Sequence, residues 1–261
     1  ENRYGIVVET IGGRGAELTE RLKAERRIGQ RVGDVTQGSA VHINSMKLEG
    51  LVASVADELP ALREEGVWWI EPTALDPQDK ANLALRVTED SPYINTKLVK
   101  SGEIPKSWKD LLGPRWTGKM GIQNPTVSST PYYAMVVYLE NKVWDEDYIR
   151  ALYRQGLRMP AGGSDMGRIL ATGEIDLAIG ASDAFTASFA QEGAPIQAIS
   201  IGGDTVVLPP TVAALAGAPH PNASRVFMNW LFSAEGQTVV GKALGNKMVR
   251  KDVPDFRPKA V

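Results

Sequence analysis

Between Tyr4 and Ile11 the chain alternates apolar and β-branched residues in the manner of a strand. From Ala16 to Ile28 the period lengthens and Leu18, Leu22 and Ile28 fall on one helical face, closed by Gly29. A second short strand is expected over Val32 to Val35, running into Thr36-Gln37-Gly38-Ser39. Val67 to Ile70, with its Trp68-Trp69 pair, reads as another buried or half-buried strand. Strands alternating with helices predict an α/β fold with a mainly parallel sheet.

Leu83 to Tyr93 is extended in pattern, and Ser91-Pro92 followed by Tyr93-Ile94-Asn95-Thr96 reads as a crossing segment, because proline disfavours helix for the residue before it. Beyond it a helix start is expected at Pro105-Lys106-Ser107-Trp108, a strand at Lys119 to Gln123, and a helix from Pro131 to about Asn141 with Thr130 as N-cap. Asp145 to Gln155 and Asp165 to Ala171 are further helices, and Ile175 to Ile179 is a strand of buried type that leads through Gly180-Ala181-Ser182-Asp183 toward another helix start. Val206 to Ala216, broken by Pro209-Pro210, forms a second crossing, followed by an amphipathic helix with Val226, Phe227, Trp230 and Leu231 on one side. Two crossings imply a discontinuous first lobe, residues 1–92 and 205–261, around a second lobe, residues 93–204.

Two loops rich in glycine, serine and threonine, Gly12-Gly13-Arg14-Gly15 and Thr126-Val127-Ser128-Ser129-Thr130, each follow a strand-like run and open a helix. A helix start carries unpaired N–H groups and partial positive charge, so two such starts far apart in sequence point to a ligand held between two lobes. The second loop offers three hydroxyls where capping needs one. Candidate contacts are Gly13, Arg14, Gln37, Ser39, Thr126, Ser128, Ser129, Thr130, Tyr132, Ser182 and Asp183. Asp183 follows the carboxyl end of a strand, where open α/β sheets bind ligands. Arg14 favours an anion, Asp183 a cation, and together they suit a zwitterion.

Composition narrows the chemistry. Twenty-nine basic residues nearly balance thirty-one acidic ones with no basic stretch, which argues against a nucleic-acid partner. The absence of cysteine excludes disulfides, thiolate ligands, a lipid-modified cysteine and a cysteine nucleophile in these residues. No apolar run approaches the roughly 18 residues of a membrane span, and the first residues have no apolar signal core, so an exported protein would have shed its address.

Catalytic readings are weaker. Gly113-Pro-Arg-Trp-Thr-Gly118-Lys119-Met120 nearly spells a phosphate loop, but Met stands where Ser or Thr should hold magnesium, and a strand follows where a helix should. Only His42 and His220 could serve a serine hydrolase, and Gly163-Ser164-Asp165 lacks the second glycine of a nucleophile elbow. Glu174 and Asp176 bracket a strand entry and read as solvent-facing or capping groups. Tyr132-Tyr133 suggests a ferric site, yet adjacent helical side chains diverge by about 100 degrees. Asn222 in Asn222-Ala223-Ser224 reads as a helix cap.

The order of Gly12-Gly-Arg-Gly-Ala-Glu17, Glu25-Arg-Arg, Gly33-Asp34-Val35, Tyr93-Ile-Asn95-Thr-Lys-Leu-Val99, Ser107-Trp-Lys-Asp-Leu-Leu112, Trp116-Thr-Gly118-Lys119, Gly173-Glu174-Ile-Asp176-Leu-Ala178-Ile and Pro219-His-Pro221-Asn-Ala, then Phe227, Trp230, Leu231, Ser233 and Glu235-Gly236-Gln237, resembles the type 2 periplasmic solute-binding proteins of ABC importers. The branch it resembles includes the ferric-iron receptors. The resemblance implies two α/β lobes with mixed sheets joined by hinge strands, to which Tyr93 and Asn95 are assigned, a solute in the interlobe cleft, delivery to a membrane permease, a periplasmic or other extracytoplasmic location, and no enzymatic activity; a monomer without metal or cofactor is expected beside it. Two departures stand out. Relatives begin with a strand and helix ahead of this opening, so Glu1-Asn2-Arg3 reads as the end of a missing first helix. The ferric receptors carry a tyrosine pair where this chain reads Ser182-Asp183-Ala184-Phe185-Thr186, so a small organic or anionic solute is expected rather than iron. An intracellular effector-sensing domain of the same architecture is the alternative, and a hydrolase the third reading.

Overall fold

The computed structural model describes residues 4–13, 15–126, 129–160, 162–180, 189–190, 192–202 and 206–257. The chain divides into two compact units. Unit 1 takes residues up to 87, 209–243 and 247–255; unit 2 takes 88–208, 244–246 and the residues from 256. The divisions at 87/88 and 208/209 differ from the 92/93 and 204/205 expected from sequence.

Unit 1 begins with helix α1 (Gly15–Arg27), strand β1 (Val35–Ser39) and helix α2 (Ala40–Leu48), followed by β2 (Val52–Ala53), β3 (Leu83–Ala84) and β4 (Arg86–Val87). The returning chain supplies β11 (Pro210–Leu215), α6 (Pro221–Phe232), α7 (Ala234–Leu244) and β12 (Lys247–Met248). The last residue of α7 belongs to unit 2. β11 is the centre of the sheet. β1 pairs antiparallel along one edge of it, from Val35 opposite Ala214 to Ser39 opposite Pro210, and β2 and β3 share the other edge. On one side Ile43 and Met46 of α2 pack with Leu51, Val52, Ala213 and Leu215, and Leu18 and Leu22 of α1 join them. A second cluster gathers Leu59, Trp68, Leu83, Leu85, Met228, Leu231 and Phe232. The buried Arg250 guanidinium bonds Glu64 and Asp252, each at 2.7 Å, and lies 5.0 Å over the Trp68 ring.

Unit 2 contains β5 (Glu89–Asp90), β6 (Tyr93–Asn95), β7 (Met120–Ile122), α3 (Ser129–Glu140), α4 (Glu146–Arg154), α5 (Gly163–Ala171), β8 (Leu177–Ile179), β9 (Ile196–Ala198) and β10 (Val206–Val207). Its main sheet runs β7-β8-β6-β9, with β7 and β8 parallel and the other pairs antiparallel. An aromatic cluster anchors α3: Tyr138 stacks on Trp144 at 4.7 Å, and Trp108 meets both rings edge-on at 5.1 Å. Tyr148 donates its hydroxyl to the Trp108 carbonyl at 2.8 Å, and burial pushes that phenol well above its ordinary range.

Several sequence expectations are corrected. Tyr4 to Ile11 is not a strand: the segment has no ladder partner among the described residues, and Tyr4, Val7, Val8 and Ile11 are exposed. The strand expected over Val32 to Val35 starts at Val35, so Thr36 to Ser39 is strand and not loop. Val67 to Ile70 contributes only a single bridge, Trp68 to Arg250. Parallel pairing is confined to β7 and β8 among the named pairs, because β11 returns between β1 and its other neighbours in the opposite sense.

A buried ion pair fixes α2 to the rest of unit 1. The Asp76 carboxylate, 6% exposed, accepts from Lys47 of α2 and from the backbone N–H groups of Ala81 at 2.9 Å and Asn82 at 3.2 Å. Burial alone would raise this carboxyl, but the lysine and the two N–H donors outweigh it and hold it below its ordinary range. A depressed folded-state value contributes stability that is present above the unfolded carboxyl range and lost as pH falls through the folded value. Asp76→Ala is expected to cost about 2 kcal/mol at pH 7, since it strands two buried N–H donors. Asp76→Asn should flatten the loss of stability below about pH 4. Urea denaturation across pH checks both.

Candidate functional site

In unit 1 two helix starts meet around one imidazole. Ser39, half-buried at the end of β1, has the extended backbone of an N-cap, and its Oγ accepts the N–H of His42 at 3.3 Å. The His42 Nδ1 lies 3.4 Å from the same oxygen. The far edge of the ring rests against the first residue of α1: a Cβ on Gly15 would stand 2.3 Å from His42 Nε2 and Cδ2. Only glycine fits there, so this glycine answers a packing demand and not a turn. The Gly15 carbonyl accepts the hydroxyl of buried Thr19 at 2.9 Å, and the Ala40 carbonyl at the start of α2 accepts from Asn82 Nδ2 at 2.8 Å. The first bond is internal to α1, whereas the second ties the start of α2 to a distant segment; both starts present N–H groups that favour negative charge.

Among the sequence candidates in this unit, Gly13 is exposed just ahead of α1, and Gln37 is exposed on β1. Alternation along the strand puts Gln37 on the same face as Ser39. Arg14 lies outside the described residues. His42, considered from sequence only as a possible hydrolase base, is the group that joins these pieces. No local motif announces it, because its role depends on a contact with Gly15 of another helix.

In unit 2 the parallel strands β7 and β8 end side by side, with Ile122 opposite Ile179. Gly180 follows β8 with φ of 66°, and a Cβ there would press on Pro131 Cβ at 3.1 Å. This left-handed residue, readily available only to glycine, lets the strand exit reach the first turn of α3. α3 starts at Ser129, so Ser129, Thr130 and Pro131 are its first three residues and Thr130 is not the cap. Thr126 is exposed, and Asn124 Oδ1 accepts both its N–H, at 3.0 Å, and its hydroxyl, at 2.8 Å. The Thr126 oxygen is left as an acceptor. Ser128, Ser182 and Asp183 lie outside the described residues.

Tyr132 is 52% exposed, and its ring meets that of Tyr133 edge-on at 5.3 Å. Burial, with Tyr132 adding to it, raises the Tyr133 phenol above its ordinary range. Tyr93 and Asn95 lie in β6 inside unit 2, away in sequence from the 87/88 and 208/209 divisions. Asn95 is buried and donates to the Leu170 carbonyl at 2.8 Å, locking β6 to α5.

The groups weighed for catalysis have structural partners. Glu174 pairs with Arg168 at 2.9 Å, and buried Asp176 pairs with Arg115 at 2.7 Å, contrary to the solvent-facing role expected for it. Arg115 thus uses the near-miss phosphate loop to tie that segment to β8. His220, 70% exposed in its side chain, occupies the N-cap position of α6 without a side-chain capping bond and instead bonds Asp34 through its N–H at 2.8 Å and Nδ1 at 3.1 Å. Asn222 is inside α6 and is not its cap.

The sequence profile of the bacterial extracellular solute-binding protein family matches residues 1–261. An uncharacterized protein of Haemophilus influenzae Rd is 30% identical over 159 residues, 57% of this chain and 44% of that protein. The match spans less than half the length of that relative. Among solved structures, the periplasmic binding protein AfuA of Actinobacillus pleuropneumoniae, with exogenous fructose 6-phosphate bound, is similar with a TM-score of 0.80 at 21% identity. The likeness covers 99% of this chain and 82% of AfuA. Iron-bound HitA of Pseudomonas aeruginosa is similar with a TM-score of 0.80 at 20% identity, over 97% of this chain and 81% of HitA.

The cap at Ser39 is testable by itself. Ser39→Ala should destabilise the protein by about 1 kcal/mol, whereas Ser39→Gly should cost only a few tenths. Equal losses in urea denaturation would mean that the cap is not formed.

Proposed function

We propose that this chain, which belongs to the bacterial extracellular solute-binding protein family, captures a small anionic organic solute outside the cytoplasm and hands it unchanged to the permease of an ABC importer. Each unit contributes one half of the contact. Gly13, Arg14, Gln37 and Ser39 serve in unit 1; Thr126, Ser128, Ser129, Thr130, Tyr132, Ser182 and Asp183 serve in unit 2. The observation that carries this reading is the pair of helix starts brought together at Gly15 and Ser39 around His42. Backbone N–H groups at helix starts favour phosphate and carboxylate oxygens without a countercharge. The opening of α3 beside the exit of β8 gives unit 2 the same kind of donor.

Fructose 6-phosphate, seen in AfuA, and iron, seen in HitA, define the two cargo classes to separate. The helix starts favour the anion, because their unpaired N–H groups and partial positive charge attract phosphate oxygens and not a cation. Closure onto a solute requires that the solute bind the closed state more tightly than the open one.

A thermal-shift series with fructose 6-phosphate, inorganic phosphate, fructose and ferric citrate tests the assignment. The phosphate-bearing solute should stabilise by about 2.7 kcal/mol at one hundred times its dissociation constant. Neutral fructose should not stabilise. Thr126→Ala should weaken the binding about tenfold or less, as expected for one hydrogen bond. Stabilisation by ferric citrate alone, lost in Tyr132→Phe, would overturn the anion reading.

A further inference from the structure

We infer that His42 is a positioning residue of the unit 1 half-site: its ring is the spacer that sets how far the loop ending at Gly15 stands from the turn at Ser39. The inference rests on the reading that this loop and turn contact the solute. The ring is held at one edge, where Nδ1 lies 3.4 Å from Ser39 Oγ. Its other edge occupies the space that a Gly15 side chain would need. The two flanks of the ring are held unequally. α2 is tied down by Asn82 at the Ala40 carbonyl and by Lys47 at Asp76, and Met46 and Ile43 are buried beneath it. α1 is the lighter partner: of its residues only Thr19 is buried, and its Leu18 and Leu22 are only partly covered. Loss of the ring therefore lets the start of α1 settle toward Ser39.

Such a shift matters to a ligand more than to the fold. An N–H donor is effective over only a few tenths of an ångström around 2.9 Å, and its strength falls steeply with misalignment. A set of N–H groups on two separate helix starts can serve one anion only if their spacing matches it. The histidine and glycine thus act as a matched pair, the ring supplying the distance and the missing Cβ making room for it. His42 need not touch the solute to select it.

The test uses the intact protein with Gly15→Ala, His42→Ala, both together, and His42→Phe, which keeps a flat ring against Gly15. In urea denaturation Gly15→Ala should lower the midpoint, and most of that loss should vanish when His42→Ala is present in the same chain. An undiminished loss in the double variant would mean that the ring does not occupy that space and would overturn the inference. In calorimetry with fructose 6-phosphate, His42→Ala should weaken binding on the order of tenfold, while His42→Phe stays within about threefold. Unchanged affinity in His42→Ala, or equal weakening in both, would overturn the positioning role and leave the receptor reading intact. Should the unaltered protein ignore fructose 6-phosphate, the solute assignment fails and hydrogen exchange decides the spacer. The amides opening α1 should then exchange faster in His42→Ala than in His42→Phe, and equal rates would sink it.

Discussion

The antiparallel pairing of β1 with β11 is the contact on which unit 1 depends. It joins two stretches separated by the main segment of unit 2, residues 88–208, and its register, from Val35 opposite Ala214 to Ser39 opposite Pro210, fixes where β1 stops. That endpoint places Ser39 as the cap of α2, and α2 in turn presents His42 to Gly15. The contact is non-local, so unit 1 cannot complete its sheet until the chain has left for unit 2 and returned. A discontinuous unit of this kind ties folding of the sheet to placement of the two helix starts.

Both units solve one problem in the same way. A helix start offers unpaired N–H groups, and a glycine beside it removes the atom that would block close approach. At Gly15 the excluded atom would strike an imidazole; at Gly180 it would press on Pro131 while the backbone takes a left-handed turn. Behind each start stands heavier packing. α2 is held by the Asp76 pair and by Ile43 and Met46, and α3 by the Trp108, Tyr138 and Trp144 cluster. Rigid support matters because binding energy spent on ordering loops does not appear as affinity.

Much of this was legible in the chain. Helical spacing and terminal residues located α1, α4 and α5 to within two residues, and the order of motifs identified the two-lobed α/β class that the family profile and the solved structures share. What failed was pairing. Tyr4 to Ile11 has the composition of a strand and forms none among the described residues, and Thr36 to Ser39 has the composition of a turn and becomes strand because β11 lies beside it. Local propensity cannot report a neighbour that arrives from a distant segment. The role of His42 was hidden for the same reason: its meaning depends on Gly15, a contact between helices and not a motif. α2 itself, polar at Asn44, Ser45 and Lys47, carries too weak a periodicity to be seen.

The central claim is that helix starts of both units grip one small anion and release it intact. A backbone-amide NMR titration of the isotope-labelled protein with fructose 6-phosphate reads location and chemistry together. The account predicts saturable shifts at residues 13–15 and 39–42 and again at 124–130, with the sugar phosphate signals unaltered on standing. Shifts confined to one unit, or the appearance of a new phosphorus signal from a product, would contradict it.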